Sequence, residues 1–201
     1  MGLRGIEFFV SDPRVEQRYV DDQLAALAAA IDGGVEFSES EGEFRIGWML
    51  TDLVRTDAGY LQIHEPDFVH MPIRSVASLD RTFLHFASQV RMAEKLGFGD
   101  QLDLPTIAHA CLVCGRYHEG ERYVMERFAP EGLRDSGWYI GCADASHDHN
   151  DAQNLRRISL YEACLQRPLL AAYVGLPVGV QVLISAQGLE AATHQGIQLA
   201  V

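Results

Sequence analysis

Sulfur and imidazole are the groups in this chain best placed to do chemistry. Cys111-Leu112-Val113-Cys114 has the spacing with which two thiolates grip one zinc ion, and Cys142, His118, His147 and His149 are available to complete a tetrahedral set. Leu112 and Val113, however, belong to an apolar run that reads as a strand, and a strand buries small thiols much as it buries alanine. The expectation is that Cys111 and Cys114 are core residues and that the chain holds no metal and no cofactor. His147-Asp148-His149-Asn150-Asp151 has the H-x-H-x-D spacing of some metal hydrolases. Such sets need further histidines downstream, and only His194 follows, so a polar loop of Asx turns is expected here. Cys111, Cys114, His147 and His149 are thus metal candidates on spacing alone. Ser136 lacks the glycine two residues before it that a G-x-S-x-G elbow requires, and no phosphate-cradling glycine loop occurs. No catalytic residue is expected.

Charge points to a partner and not to a reaction. With 28 acidic against 16 basic residues the formal net charge is -12, which disfavours nucleic acid or an anionic bilayer and suits a basic protein partner. Residues 1–103 carry 18 acids and 9 bases, so most of the negative field comes from that half. Its densest stretch holds Glu36, Glu39, Glu41 and Glu43, candidate contacts that would steer a basic partner. Trp48 and Trp138 are of the type enriched at interface hot spots. Both fall in runs that read as strands, so core packing is the expected role, with Trp138 kept as a candidate contact. The first residues lack the basic cluster and apolar run of a signal peptide, and the longest apolar run, 24–31, is too short to span a bilayer. The cytoplasm is the expected compartment, where the four cysteines would be free thiols.

These residues must be positioned by a mixture of strands and helices. Ile6 to Val10 reads as a strand, and Asp12-Pro13 as the start of a helix running to Ile31, since Asp caps well and Pro suits the first helical position. Phe44 to Leu50 alternates as one half-buried strand, and Thr56-Asp57-Ala58-Gly59 turns it back into a partner at Tyr60–His64. Ser78 caps a second helix that Gly97 ends. A linker at 97–103 places the domain boundary near residue 103. Strands are then expected at Ile107–Val113, Arg122–Phe128 and Trp138–Ile140. Ser159-Leu160-Tyr161-Glu162 is a capping box opening a short helix that Pro168 stops, Val178–Ile184 is the last core strand, and the tail beyond Ala186 is expected to fray.

Asp135-Ser136-Gly137-Trp138, Gly141, Asp151 and Asn154, Ser159-Leu160, Pro177 and Gly179 form a spaced set that resembles the immunity protein Imm33 domain family, DUF2185. The resemblance covers the second half of the chain. It implies an antidote module of bacterial polymorphic toxin systems, which neutralises a toxin by binding and brings no catalytic residues. The reading is therefore α+β with two small mixed domains, 1–103 and 104–201, each a mostly antiparallel sheet with packed helices. The function expected is non-enzymatic binding of a protein, a basic toxin in the immunity case. A metal-dependent enzyme using Cys and His ligands is the alternative. The oligomeric state stays open.

Overall fold

The computed structural model describes residues 2–3, 6–32 and 43–201. Two compact units result, Met1–Ser88 and Gln89–Val201, so the division falls before residue 103 and inside the second helix. Each is a mixed, mostly antiparallel sheet packed with helices, an α+β architecture.

The first unit contains strands β1 (Gly2–Leu3), β2 (Ile6–Glu7), β3 (Glu43–Ile46), β4 (Met49–Arg55), β5 (Leu61–Pro66) and β6 (Ser75–Val76), with helix α1 (Gln17–Asp32) and the start of helix α2 (Asp80–Lys95). The sheet order is β1-β2-β5-β4-β3, β6 adding to β5, and only β2 and β5 run parallel. Its core joins Ile6, Phe8, Val20, Ile46, Leu53, Ile63, Leu79 and Phe83. Two local expectations are corrected here. Phe44–Leu50 is not one strand, because Gly47 takes a left-handed φ of 60° and the chain reverses over Gly47-Trp48, pairing Ile46 with Met49. Trp48 is accordingly a turn residue, yet wholly buried beside Phe68 and His85 at centroid distances of 5.9 and 5.5 Å. Helix α1 begins at Gln17 and not at Pro13. Asp12 spends its carboxylate on a turn of its own, accepting from the Arg14 amide at 2.9 Å and its guanidinium at 2.6 Å, which holds the acid down at about 2.

Helix α2 behaves as its sequence signals demand. The Ser78 hydroxyl accepts from the Asp80 amide at 3.0 Å, and Gly97 closes the helix at φ 81° while the Phe98 amide reaches back to the Ala93 carbonyl at 2.7 Å.

In the second unit the strands are β7 (Ala110–Cys114), β8 (Arg122–Arg127), β9 (Asp135–Cys142), β10 (Leu155–Ser159), β11 (Val180–Ser185), β12 (Gly188–His194) and β13 (Ile197–Gln198), with helix α3 (Leu160–Gln166) and a 3₁₀ turn over Pro168–Ala172. The sheet order is β10-β7-β9-β8-β11-β12-β13, with β7 and β9 parallel and the other pairs antiparallel. Helix α3 starts on its capping residue: the Ser159 hydroxyl accepts from the Glu162 amide at 3.1 Å. The tail does not fray. Gly188, at φ 107°, returns the chain along β11, and backbone pairing from Val180–His194 to Ser185–Gly188 holds a strand whose side chains carry almost no apolar alternation.

Register fixes the two faces of this sheet. Val113, Ile140, Met125 and Val182 lie side by side across β7, β9, β8 and β11 and are fully buried. One residue along, Arg157, Leu112, Tyr139, Glu126 and Gln181 form the neighbouring row on the opposite, solvent-facing side.

Candidate functional site

Strand β9 is the axis of the second unit, and its first turn of chain is built on Gly137. At φ 73° this residue lies in the left-handed region, and a Cβ there would come within 2.1 Å of the Phe128 carbonyl oxygen. Any side chain would clash with backbone as well as suffer strain. The close approach lets the Phe128 amide donate to the Gly137 carbonyl at 2.8 Å, while Ser136 Oγ donates to the Ala110 carbonyl at 2.7 Å. Ser136 is thus a buried brace between β9 and β7. Trp138 follows with its ring buried and its indole N–H donating to the Val174 carbonyl at 2.9 Å. It is a core residue, and only its neighbours meet solvent.

A residue that the sequence reading passed over completes this anchor. Arg127, 2% exposed, sends Nη1 to the carbonyls of Asp103 (2.6 Å) and Leu176, and Nη2 to the Asp103 carboxylate at 3.0 Å. Its guanidinium lies 5.7 Å from the Trp138 ring centre. Burial pulls the Arg127 pKa down, with the Asp103 charge opposing. The sequence offers no clear signal, since Arg127 ends a strand that also carries Arg122 and Glu126.

On the outer face a groove of about 420 Å³ is lined by residues including Leu112, Glu126, Phe128, Asp135, Tyr139 and Arg157. Leu112 and Phe128 are 36% and 53% exposed, apolar groups set among charges of both signs. Arg157 stands 3.5 Å from Asp135, whose acid is lowered chiefly by the Glu131 and Gly137 amides, against the opposing effect of burial.

At the far end of β9 a second cluster forms. The sulfurs of Cys114 and Cys142 and one ring nitrogen each of His147 and His149 all lie within 4.8 Å of one another. Cys142 Sγ is 3.2 Å from both His147 Nδ1 and His149 Nε2. Parallel pairing of β7 with β9 brings the ends of the two strands to one edge, which is why thiols 28 residues apart meet. His147 and His149 flank the exposed Asp148, so the alternation turns both rings inward. Cys111 is left out. Three residues along a strand reverse the face, and Cys111 sits in the core with its thiol 3.6 Å from the Ile158 carbonyl and raised to about 12 by burial. His118 is exposed and outside the cluster. The structure therefore brings together Cys114, His147 and His149 of the four spacing candidates with Cys142, which the sequence also offered to complete the set, and leaves out Cys111 and His118. Among the contact candidates, Glu36, Glu39 and Glu41 lie outside the described residues, and Glu43 is described only as the first residue of β3.

In the comparison with known families, residues 88–195 match the Imm33-like domain model. The match covers more than half of the chain, and the protein belongs to the Imm33-like family. No curated protein and no solved structure matches the chain significantly. No helix among the described residues is long and apolar enough to cross a membrane.

Proposed function

We propose that this protein is a non-enzymatic binding protein of the immunity type, which neutralises a basic toxin by occupying it. The observation that carries the reading is the Imm33-like domain over residues 88–195. Two further features support it. The formal charge of -12 suits a basic partner, and the outer sheet face offers an apolar strip at Leu112 and Phe128 rimmed by Glu126, Glu131, Asp135 and Arg157, the composition of a protein-contact surface. A cytoplasmic location accords with the free thiols of all four cysteines.

The test is co-expression with the product of the neighbouring reading frame. That product alone should arrest growth, and this chain should restore it. Leu112→Arg and Phe128→Asp should abolish rescue while the purified variants remain folded. Rescue by both variants would move the contact surface elsewhere, and a harmless neighbouring product would remove the immunity reading. Electrostatic steering has its own readout. Neutralising Glu36, Glu39, Glu41 and Glu43 together should slow association severalfold at low salt and leave dissociation nearly unchanged. An association rate indifferent to salt and to these substitutions would leave that stretch as solvated surface.

A further inference from the structure

We propose that Cys114 Sγ, Cys142 Sγ, His147 Nδ1 and His149 Nε2 bind one zinc ion, a structural site that ties the 143–154 connection to the ends of β7 and β9. This goes beyond the binding reading and does not depend on it.

Ligand type and geometry agree. Two thiolates and two imidazoles in a compact tetrahedron are the donor set that selects zinc. Zinc bonds of about 2.3 Å to sulfur and about 2.0 Å to nitrogen place neighbouring ligand atoms roughly 3.5 Å apart. The observed separations, 3.2 Å for two pairs and none above 4.8 Å, leave room for the ion with small side-chain movements. All four positions are filled by protein. A site closed in this way holds structure, whereas catalytic zinc keeps a position open for water.

The backbone also reaches the Cys114 sulfur: the Cys142 amide donates to Cys114 Sγ at 3.2 Å. Amide donors of this kind are the outer shell that fixes a metal-bound sulfur. Cys142 Sγ faces two imidazole nitrogens at the same distance, a convergence of ligand atoms that one cation would satisfy together. As a thiolate, Cys142 would be a negative charge that is 4% exposed, which calls for a partner of opposite sign.

The connection also needs a tether. Residues 143, 145, 146, 148 and 150–153 are exposed, and within the loop Asx turns (Asp144 to Ser146, Asp148 to Asn150, Asp151 to Gln153) are joined by the Asn154 side-chain amide on the Asp148 carbonyl at 2.9 Å. Its anchors to the 115–116 turn are the Gly115 amide on the Asn154 carbonyl at 2.7 Å and Arg116 on Asp144 at 3.1 Å. His147 and His149 are the loop's inward-facing side chains. A metal through them would fix the approach of β10, the edge strand next to β7.

The full chain, purified through a tag without histidines from zinc-supplemented medium, should carry about one zinc per chain by mass spectrometry. Cobalt added to chelator-treated protein should give the intense ligand-field bands of tetrahedral coordination and a thiolate-to-metal charge-transfer band. Cys142→Ser and His149→Gln should lose the stoichiometric zinc and the tetrahedral spectrum, while Cys111→Ala retains both. His149→Gln changes a loop residue outside the core, so its circular dichroism should remain that of the parent. Absence of zinc from the wild type after zinc exposure, an octahedral cobalt spectrum, stoichiometric iron in place of zinc, or zinc retained by both ligand variants would each overturn the assignment.

Discussion

Each unit buries a charged side chain against backbone, and the two do so with opposite sign. In the first, Glu65 is 1% exposed and accepts from the Arg81 amide at 3.0 Å, the Thr82 amide at 2.6 Å and the Thr82 hydroxyl at 2.7 Å, covering donors that the start of α2 leaves without helical partners. In the second, Arg127 gives its N–H groups to carbonyls that the 102–104 and 174–176 segments leave without ladder partners. The difference lies in how each charge survives burial. Desolvation raises the Glu65 acid, with the hydrogen bonds opposing it, so acidification neutralises this carboxyl more readily than a free one. A guanidinium has no such exit at any ordinary pH, and Arg127 is held by the Asp103 carboxylate as well as by carbonyls.

The largest effect should come from breaking the arginine anchor. Arg127→Met keeps much of the length but leaves the carbonyls of Asp103 and Leu176 without this donor, while the exposed Asp103 carboxylate turns to water, and should destabilise the second unit by about 2–4 kcal/mol. Chemical denaturation followed by Trp138 emission in a Trp48→Phe background measures it. A loss under about 1 kcal/mol would mean that water replaces the guanidinium at no penalty.

The first unit carries a pH dependence that comes from a histidine. His85 is buried between Trp48 and Phe68, and desolvation, aided by Arg81, lowers it from 6.5 to about 4. Between those values the unfolded chain takes up a proton that the folded chain refuses. Stability is therefore fully present above pH 6.5 and lost as pH falls toward 4, by on the order of 3 kcal/mol. Glu65 acts in the opposite sense: its raised acid makes the fold retain a proton that the unfolded chain releases, so its contribution falls as pH rises above 4.5. Comparing wild type with His85→Leu across pH 7 to 4 separates the two, because the histidine component should vanish in the variant and the opposing one remain. Parallel curves would show that His85 does not titrate differently on folding.

Glu65→Gln places an amide nitrogen among donors and should cost about 2 kcal/mol, less than the arginine variant because one oxygen still accepts. Thermal melts of the two variants side by side would rank the two devices, and a Glu65→Gln loss equal to that of Arg127→Met would erase the distinction drawn between them. Smallest of all, Ser159→Ala should cost about 1 kcal/mol, since a neutral local cap satisfies a single amide. An unchanged melting temperature there would mean that the ties from Leu160 and Tyr161 amides to the His109 and Ile107 carbonyls already hold the start of α3.

Sequence by itself determined several features that depend on neighbours within a turn or two. Ser78 and Gly97 bound α2, Ser159 opens α3, Gly59 closes the β4–β5 hairpin, and Gly137 shapes the opening of β9, the strand that carries the family resemblance. Those signals are steric and local, so they read the same in one dimension as in three. Tertiary structure decided what depends on register and on distant partners. Trp48 is buried in a turn because Phe68 and His85 come to meet it, and Gly188–His194 is a strand because β11 supplies its hydrogen bonds. Arg127 looked like any strand charge until the carbonyls of Asp103 and Leu176 converged on it. The thiols show the reason most directly. Cys111 and Cys114 are close in sequence but face opposite sides of one strand, whereas Cys114 and Cys142 meet because two parallel strands end together, a fact fixed by pairing and invisible to spacing.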